Sequence, residues 1–185
     1  ATPEQIRAAV DAGASLSTHL GNGTFATLPR HPNPIWTQLA DDRLTAGFIG
    51  DGHHLPADTL TALVRAKGPG RSFLVSDSVA LAGTAPGRYH QPVGGDVELF
   101  PDGKLTLAGT PFLAGSGVNL AQVVEFTLTR TPLGLPTVVE LASGTPARVI
   151  GNRSIGRVQA GARADLVLLD ADCRVVDVLA QGARP

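Results

Sequence analysis

The chain has 185 residues, 43% of them hydrophobic and 17% charged. That is enough for one sizeable core and too apolar for a disordered chain. Its 15 basic and 16 acidic residues leave a net charge of -1, which offers no electrostatic footprint for nucleic acid. One Cys excludes an internal disulfide framework and a thiolate zinc cluster, and no apolar run approaches the roughly 20 residues of a membrane helix. The first residue is Ala1 rather than Met, and the chain opens directly on a helix signal, so it is expected to be a piece of a longer one.

That opening helix has Thr2 as N-cap, Pro3 at the first helical position and Gln5 to complete a capping box. Ile6, Val10 and Ala9 offer its apolar face, and Gly13 a C-cap. A strand is expected over 15–20, followed by a loop containing Pro29, Pro32 and Pro34 and a helix over 35–42. A strand over 45–50, a helix over 56–67 and a strand over 72–77 come next. Strands at this spacing, separated by helices, fit βαβ crossovers of roughly 30 residues in a parallel sheet. Further on, 93–100 and 104–107 flank Pro101-Asp102-Gly103, which reads as a hairpin turn. A helix capped by Ser116 is expected through Arg130, another over 136–142 and a short one after Pro146. Strands at 164–170 and 175–179 are expected to pair as a second small β segment.

The three parallel strands end in polar groups: Thr18-His19, Asp51-Gly52-His53-His54 and Ser76-Asp77-Ser78. Parallel α/β folds place their chemistry at that edge. His19 is either a metal ligand, since neutral imidazole suits zinc and related divalent metals, or a hydrogen-bonded core histidine. His53 and His54 are adjacent and point to opposite sides, so at most one faces a given site. Asp77 ends an apolar run as a general base, a metal ligand or a helix N-cap. Asp51-Gly52 reads equally as a turn. Arg30 is an anion-binding or a solvated arginine. Leu113-Ala114-Gly115-Ser116 is a loop that either approaches a ligand with its backbone or caps the next helix. Trp36 and Tyr89 read as packing residues, and Cys173 carries no assigned role.

Five motifs occur in order: Ser17-Thr18-His19-Leu20-Gly21-Asn22, Asp51-Gly52-His53-His54, Leu74-Val75-Ser76-Asp77, Leu113-Ala114-Gly115-Ser116 and Gly161-Ala162-Arg163-Ala164-Asp165-Leu166-Val167. Together they resemble the C-terminal part of an N-acetylglucosamine-6-phosphate deacetylase-like member of the amidohydrolase superfamily. The resemblance implies an α/β fold: the C-terminal part of a (β/α)8 TIM barrel, about strands 6–8. Residues 1–150 would form it, with a hairpin insertion near 88–108, and 151–185 would be a segment of a small β-sandwich. It implies a divalent metal, commonly zinc, with His19 as a ligand and Asp77 activating the water and then protonating the leaving amine. His54 would bind substrate, Asn22 and Gly23 would hold its phosphate, and Leu113, Ala114, Gly115 and Ser116 would lie near the acyl group. Arg30 would be similar to a phosphate-binding arginine that reaches across a dimer.

The implied protein is a metal-dependent, cytoplasmic, homodimeric deacetylase of an N-acetylated amino sugar. The chain departs from the family in having Gly23-Thr24 where Ala-Met is usual, and Arg30-His31-Pro32-Asn33 in place of Arg-Glu-Pro-Gly. The family's glutamate and histidine from earlier strands have no counterpart here, so the N-terminal half of the barrel is expected to be missing and the piece alone to be inactive. Two other readings stand beside this one. The first is another amidohydrolase branch, acting on a cyclic amide or an N-acyl amino acid. The second is an inactive piece acting as a structural or interaction unit.

Overall fold

The computed structural model describes residues 1–92 and 94–185. Its fold is mixed α/β, built on a parallel sheet of β1 (Leu16–Ser17), β2 (Thr45–Ile49) and β3 (Ser72–Val75) in that order. The helices α2 (Pro34–Ala40) and α3 (Ala57–Lys67) make the two crossovers, as the strand spacing predicts. The register aligns Ser17 with Ala46, and Ala46 with Ser72. Strand β1 is much shorter than expected: after Ser17 the chain leaves the ladder, and the Leu20 amide returns to donate to the Gly47 carbonyl (2.8 Å). The first helix, α1 (Pro3–Asp11), has both capping-box bonds, between Thr2 and Gln5. It buries Ile6 and Val10 against Leu44 and leaves Ala9 exposed. Its C-cap is Ala12, one residue before Gly13.

Phe48 and Leu74 pack with Leu60, Leu63 and Val64 of α3 in the main core, which also takes in Val123, Val138 and Leu141. A charge also lies within this layer. Lys67 is fully buried, and its Nζ donates to the carbonyls of Gln38 (2.7 Å), Leu39 (3.5 Å) and Asp41 (2.6 Å). These carbonyls belong to the end of α2, where no intrahelical donor remains. The ammonium therefore caps a neighbouring helix and answers the negative end of its dipole. Burial pushes the Lys67 pKa down, and the Arg71 charge adds to that.

The expected hairpin is present as β5 (Gly95–Leu99) and β6 (Lys104–Leu107) around Pro101-Asp102-Gly103; the start expected at Val93 lies outside the described residues. The excursion is larger than 88–108. β4 (Gly87–Gln91) precedes it and β7 (Leu113–Ser116) follows, giving a four-stranded antiparallel sheet. Residues 113–116 are thus a strand and not a loop. Ser116 also bridges in parallel to Ser78, just beyond β3. The next helix, α4 (Leu120–Arg130), is capped by Asn119 in a reciprocal box with Gln122. Ser116 is three residues too early to cap it, and its hydroxyl instead accepts from the Val118 amide (3.3 Å).

The expected helices at 136–142 and after Pro146 are one continuous run: α5 (Leu135–Val139), a π turn (Glu140–Gly144) and α6 (Thr145–Val149). Pro146 has no N–H to return to the helix, and the wide π turn falls just before it. β8 (Leu166–Leu169) and β9 (Val175–Leu179) pair antiparallel as expected, as a two-stranded ribbon. Trp36 does not pack into a core: it is half exposed, and its Nε1 donates to the Arg30 carbonyl (3.3 Å). Tyr89 does pack, against the small core of Val97, Leu99 and Leu105. Among the described residues no helix is long and apolar enough to cross a membrane.

Replacing Lys67 by Met keeps the stem but leaves the α2 carbonyls without their donor. The expected cost is about 2 kcal/mol or more. It should be read as a lower urea midpoint at unchanged denaturant slope.

Candidate active site

His19, His54 and Asp77 follow β1, β2 and β3 in turn, and all three line one cavity of about 700 Å³ at the carboxyl edge of the sheet. His19 sits in the left-handed region (φ +30°). Its Nδ1 is buried without a hydrogen-bond partner. The Asn22 amide donates to the His19 carbonyl (2.9 Å), closing a tight turn that brings Gly23 onto the imidazole. A Cβ on Gly23 would lie 2.8 Å from His19 Cε1, and the glycine has φ +64°. Asn22 lines the same cavity, and its Nδ2 is a second buried donor without a partner.

The second strand end is organised by a carboxylate. The Asp51 side chain is wholly buried, and Oδ1 accepts from the amides of His53 and His54, both at 2.9 Å. Its Oδ2 meets His54 Nδ1 at 2.7 Å. Burial pushes the Asp51 carboxyl up. The hydrogen bonds from the His54 ring and the two amides outweigh this and hold it at about 2. His53 turns away, its Nε2 lying 3.2 Å from the Asp102 carbonyl, so only His54 of the adjacent pair faces the cavity. Asp51 is the residue that sequence reasoning undervalued. Its signal was the spacing to His54, which lets one side chain close the turn and reach the ring.

Asp77 also has a left-handed backbone (φ +51°) and is exposed at the strand end. Of the stretch 113–116, Leu113 and Gly115 line the cavity, whereas Ala114 and Ser116 do not. Alternation along a strand explains this division. Ala114 packs instead on the core of Val97, Leu99 and Leu105, and Ser116 is fully buried. Arg30 is exposed outside the cavity lining; its carbonyl receives Asn33 Nδ2 as well as Trp36 Nε1. Among the described residues no three or more His, Cys, Asp or Glu side chains gather as a metal-ligand set.

The fold and the site define an α/β protein whose carboxyl-edge cavity is lined by two imidazoles and a carboxylate. Comparison with known proteins narrows this. The chain is 34% identical over 187 residues to an N-acetylgalactosamine-6-phosphate deacetylase of Shewanella sp. (strain ANA-3), covering 97% of this chain and 45% of that one. A short Escherichia coli (strain K12) protein provisionally named N-acetylgalactosamine-6-phosphate deacetylase is 31% identical over 166 residues. The match covers 89% of this chain and 96% of that protein. A variant of N-acetyl-D-glucosamine-6-phosphate deacetylase from Mycobacterium smegmatis, solved with N-acetyl-D-glucosamine-6-phosphate, superposes with a TM-score of 0.89 at 35% identity. It covers 100% of this chain and 49% of that one. No family model matches. The chain belongs to the N-acetylglucosamine-6-phosphate and N-acetylgalactosamine-6-phosphate deacetylase family, and it spans about half the length of most of the curated relatives it matches.

Two outcomes test this geometry. Gly23→Ala should displace the His19 ring, seen as a shift of its imidazole NMR signals with the rest of the spectrum retained. An unmoved ring would refute the close approach. Asp51 contributes stability that is complete above its ordinary value near 3.8 and is lost as pH falls through about 2. Urea melts should therefore weaken across that acid window, and the slope should flatten in Asp51→Asn.

Proposed function

We propose that this chain forms part of the active site of an enzyme that hydrolyses the acetamide of an amino-sugar 6-phosphate, releasing acetate and the free amine. The observation that carries this reading is the convergence of His19, His54, Asp77 and Asn22 on one cavity at three consecutive parallel strand ends. Family membership supplies the substrate class.

The donor chemistry suits a divalent metal, zinc foremost: His19 offers a buried, unpartnered ring nitrogen at the cavity wall, and Asp77 adds a carboxylate. Zinc sites normally use three or more protein ligands, so His19 supplies part of a set completed by other residues. When bound, the metal supplies Lewis acidity and lowers the pKa of water to about 7. Asp77 takes the proton of the attacking water and returns it to the departing nitrogen, which leaves as the amine. Its exposure within the cavity lets it reach both positions. His54 presents its ring to the substrate as a binding group. The free Nδ2 of Asn22 and the backbone of Gly23 serve the 6-phosphate. Leu113 and Gly115 face the acetyl group, while Ala114 and Ser116 support them from behind. In the same reading Arg30 reaches from its exposed loop to the phosphate site of a second subunit, in a cytoplasmic homodimer.

The test is acetate release by the complete gene product carrying this chain. The panel is N-acetylglucosamine-6-phosphate, its galactosamine isomer and the two unphosphorylated sugars. Turnover is expected only with the phosphorylated pair. Asp77→Asn should lower kcat by about 10²-fold or more with metal content retained. Unchanged turnover in that variant removes Asp77 from the chemistry.

A further inference from the structure

The Asp51–His54 pair has a consequence beyond the order of the strand-end residues. All the acceptor capacity that Asp51 uses is committed: one oxygen to two backbone amides and the other to the imidazole. An ionised carboxylate only accepts, so the ring nitrogen facing it must carry the hydrogen. The low pKa of Asp51 keeps it ionised across the working range. The neutral His54 ring is therefore in the Nδ1–H form. Its Nε2 makes no hydrogen bond among the described residues, and the ring lines the cavity.

The turn that holds the carboxylate is itself clamped. A Cβ on Gly50 would meet Val123 Cγ1 at 2.7 Å, and one on Gly52 would meet the Phe126 ring at 2.4 Å. Helix α4 thus packs directly against the backbone on both sides of Asp51. That packing fixes the backbone from which the carboxylate reaches His54.

We infer that Asp51 is a positioning residue that locks His54 in one orientation and one tautomer, so that Nε2 offers the cavity a lone pair and accepts a hydrogen bond from a substrate N–H or O–H. The assignment rests on the functional reading above only for the word substrate; the tautomer follows from the contacts of this chain alone. It also makes the amide variant informative. In Asp51→Asn the carbonyl oxygen remains with the two backbone amides, because otherwise both lose their acceptor. The NH₂ group then faces His54 Nδ1, which must become an acceptor, and the hydrogen moves to Nε2. The group presented to the cavity changes from acceptor to donor. In a catalytic Asp–His pair of other enzymes, the same carboxylate-to-amide change leaves the geometry intact, reverses the tautomer and costs about 10⁴-fold in turnover.

Long-range ¹H–¹⁵N correlation spectra of the 185-residue chain, at a pH well above the usual imidazole range, read the tautomer directly. The expected result is an Nδ1–H signature for His54 in the natural chain and an Nε2–H signature in Asp51→Asn. An Nε2–H ring in the natural chain overturns the inference, and so does an Nδ1–H ring that persists in Asp51→Asn. Should the variant not fold, the natural chain decides alone. In the complete gene product, Asp51→Asn should lower kcat/KM for N-acetylglucosamine-6-phosphate at least tenfold with metal content unchanged. An unaltered kcat/KM would overturn the positioning role. If the natural gene product releases no acetate at all, the functional reading fails while the tautomer result still stands or falls by itself.

Discussion

Left-handed backbone at His19 and Asp77 is the constraint on which the site depends. A strand that simply ran on would carry its side chains past the cavity mouth. At both positions the chain instead turns sharply as it leaves the sheet. Among the described residues only four non-glycine positions have positive φ, and two of them are these strand-end residues. Each such conformation costs about 1 kcal/mol or more for an ordinary side chain, though His and Asp are among the residues that tolerate it best. The cost is met locally. Around His19, the Leu20 amide reaches back to Gly47 and the Asn22 amide closes the turn. Beyond Asp77, the Val79 amide donates to the Ser116 carbonyl (3.0 Å).

That last bond gives the antiparallel sheet a mechanical role. Strand β7 is the outer strand of a sheet with its own small core, yet Ser116 also bridges to Ser78. The antiparallel sheet therefore ties down the end of β3 from outside the parallel layer. Its alternation turns Leu113 and Gly115 to the cavity and sends Ala114 and Ser116 into packing. One four-residue strand thus lines the site and holds the neighbouring strand end in place.

The parallel layer was legible because its signals are local. Caps at Thr2 and the regular interval between apolar runs predict α1 to β3 in the right order. The strand-end polar residues follow from that order, and His19, His54 and Asp77 do share a cavity. The antiparallel sheet was half legible: Pro101-Asp102-Gly103 marks its inner hairpin. The outer strands β4 and β7 depend on pairing with β5 and β6, and the sequence of 113–116, rich in small residues, reads like a loop until that pairing is known. Helix capping was misassigned for a related reason. Ser116 and Asn119 are both capping types, and the reciprocal bond with Gln122 selects Asn119.

Asp51 was hardest to read because a turn and a positioning carboxylate use the same residue. The two uses are not alternatives. One oxygen closes the turn through the amides of His53 and His54, and the other orients the His54 ring. The turn geometry aims the second oxygen, and the ring contact helps hold the buried carboxylate ionised. Gly50 and Gly52 complete the arrangement, since only residues without a Cβ let Val123 and Phe126 of α4 close over the backbone on either side. The side chain that this segment turns to the cavity is thus positioned by the packing of α4 on the turn behind it. A change at Phe126 should be felt at His54 through Asp51, although no residue of α4 lines the cavity.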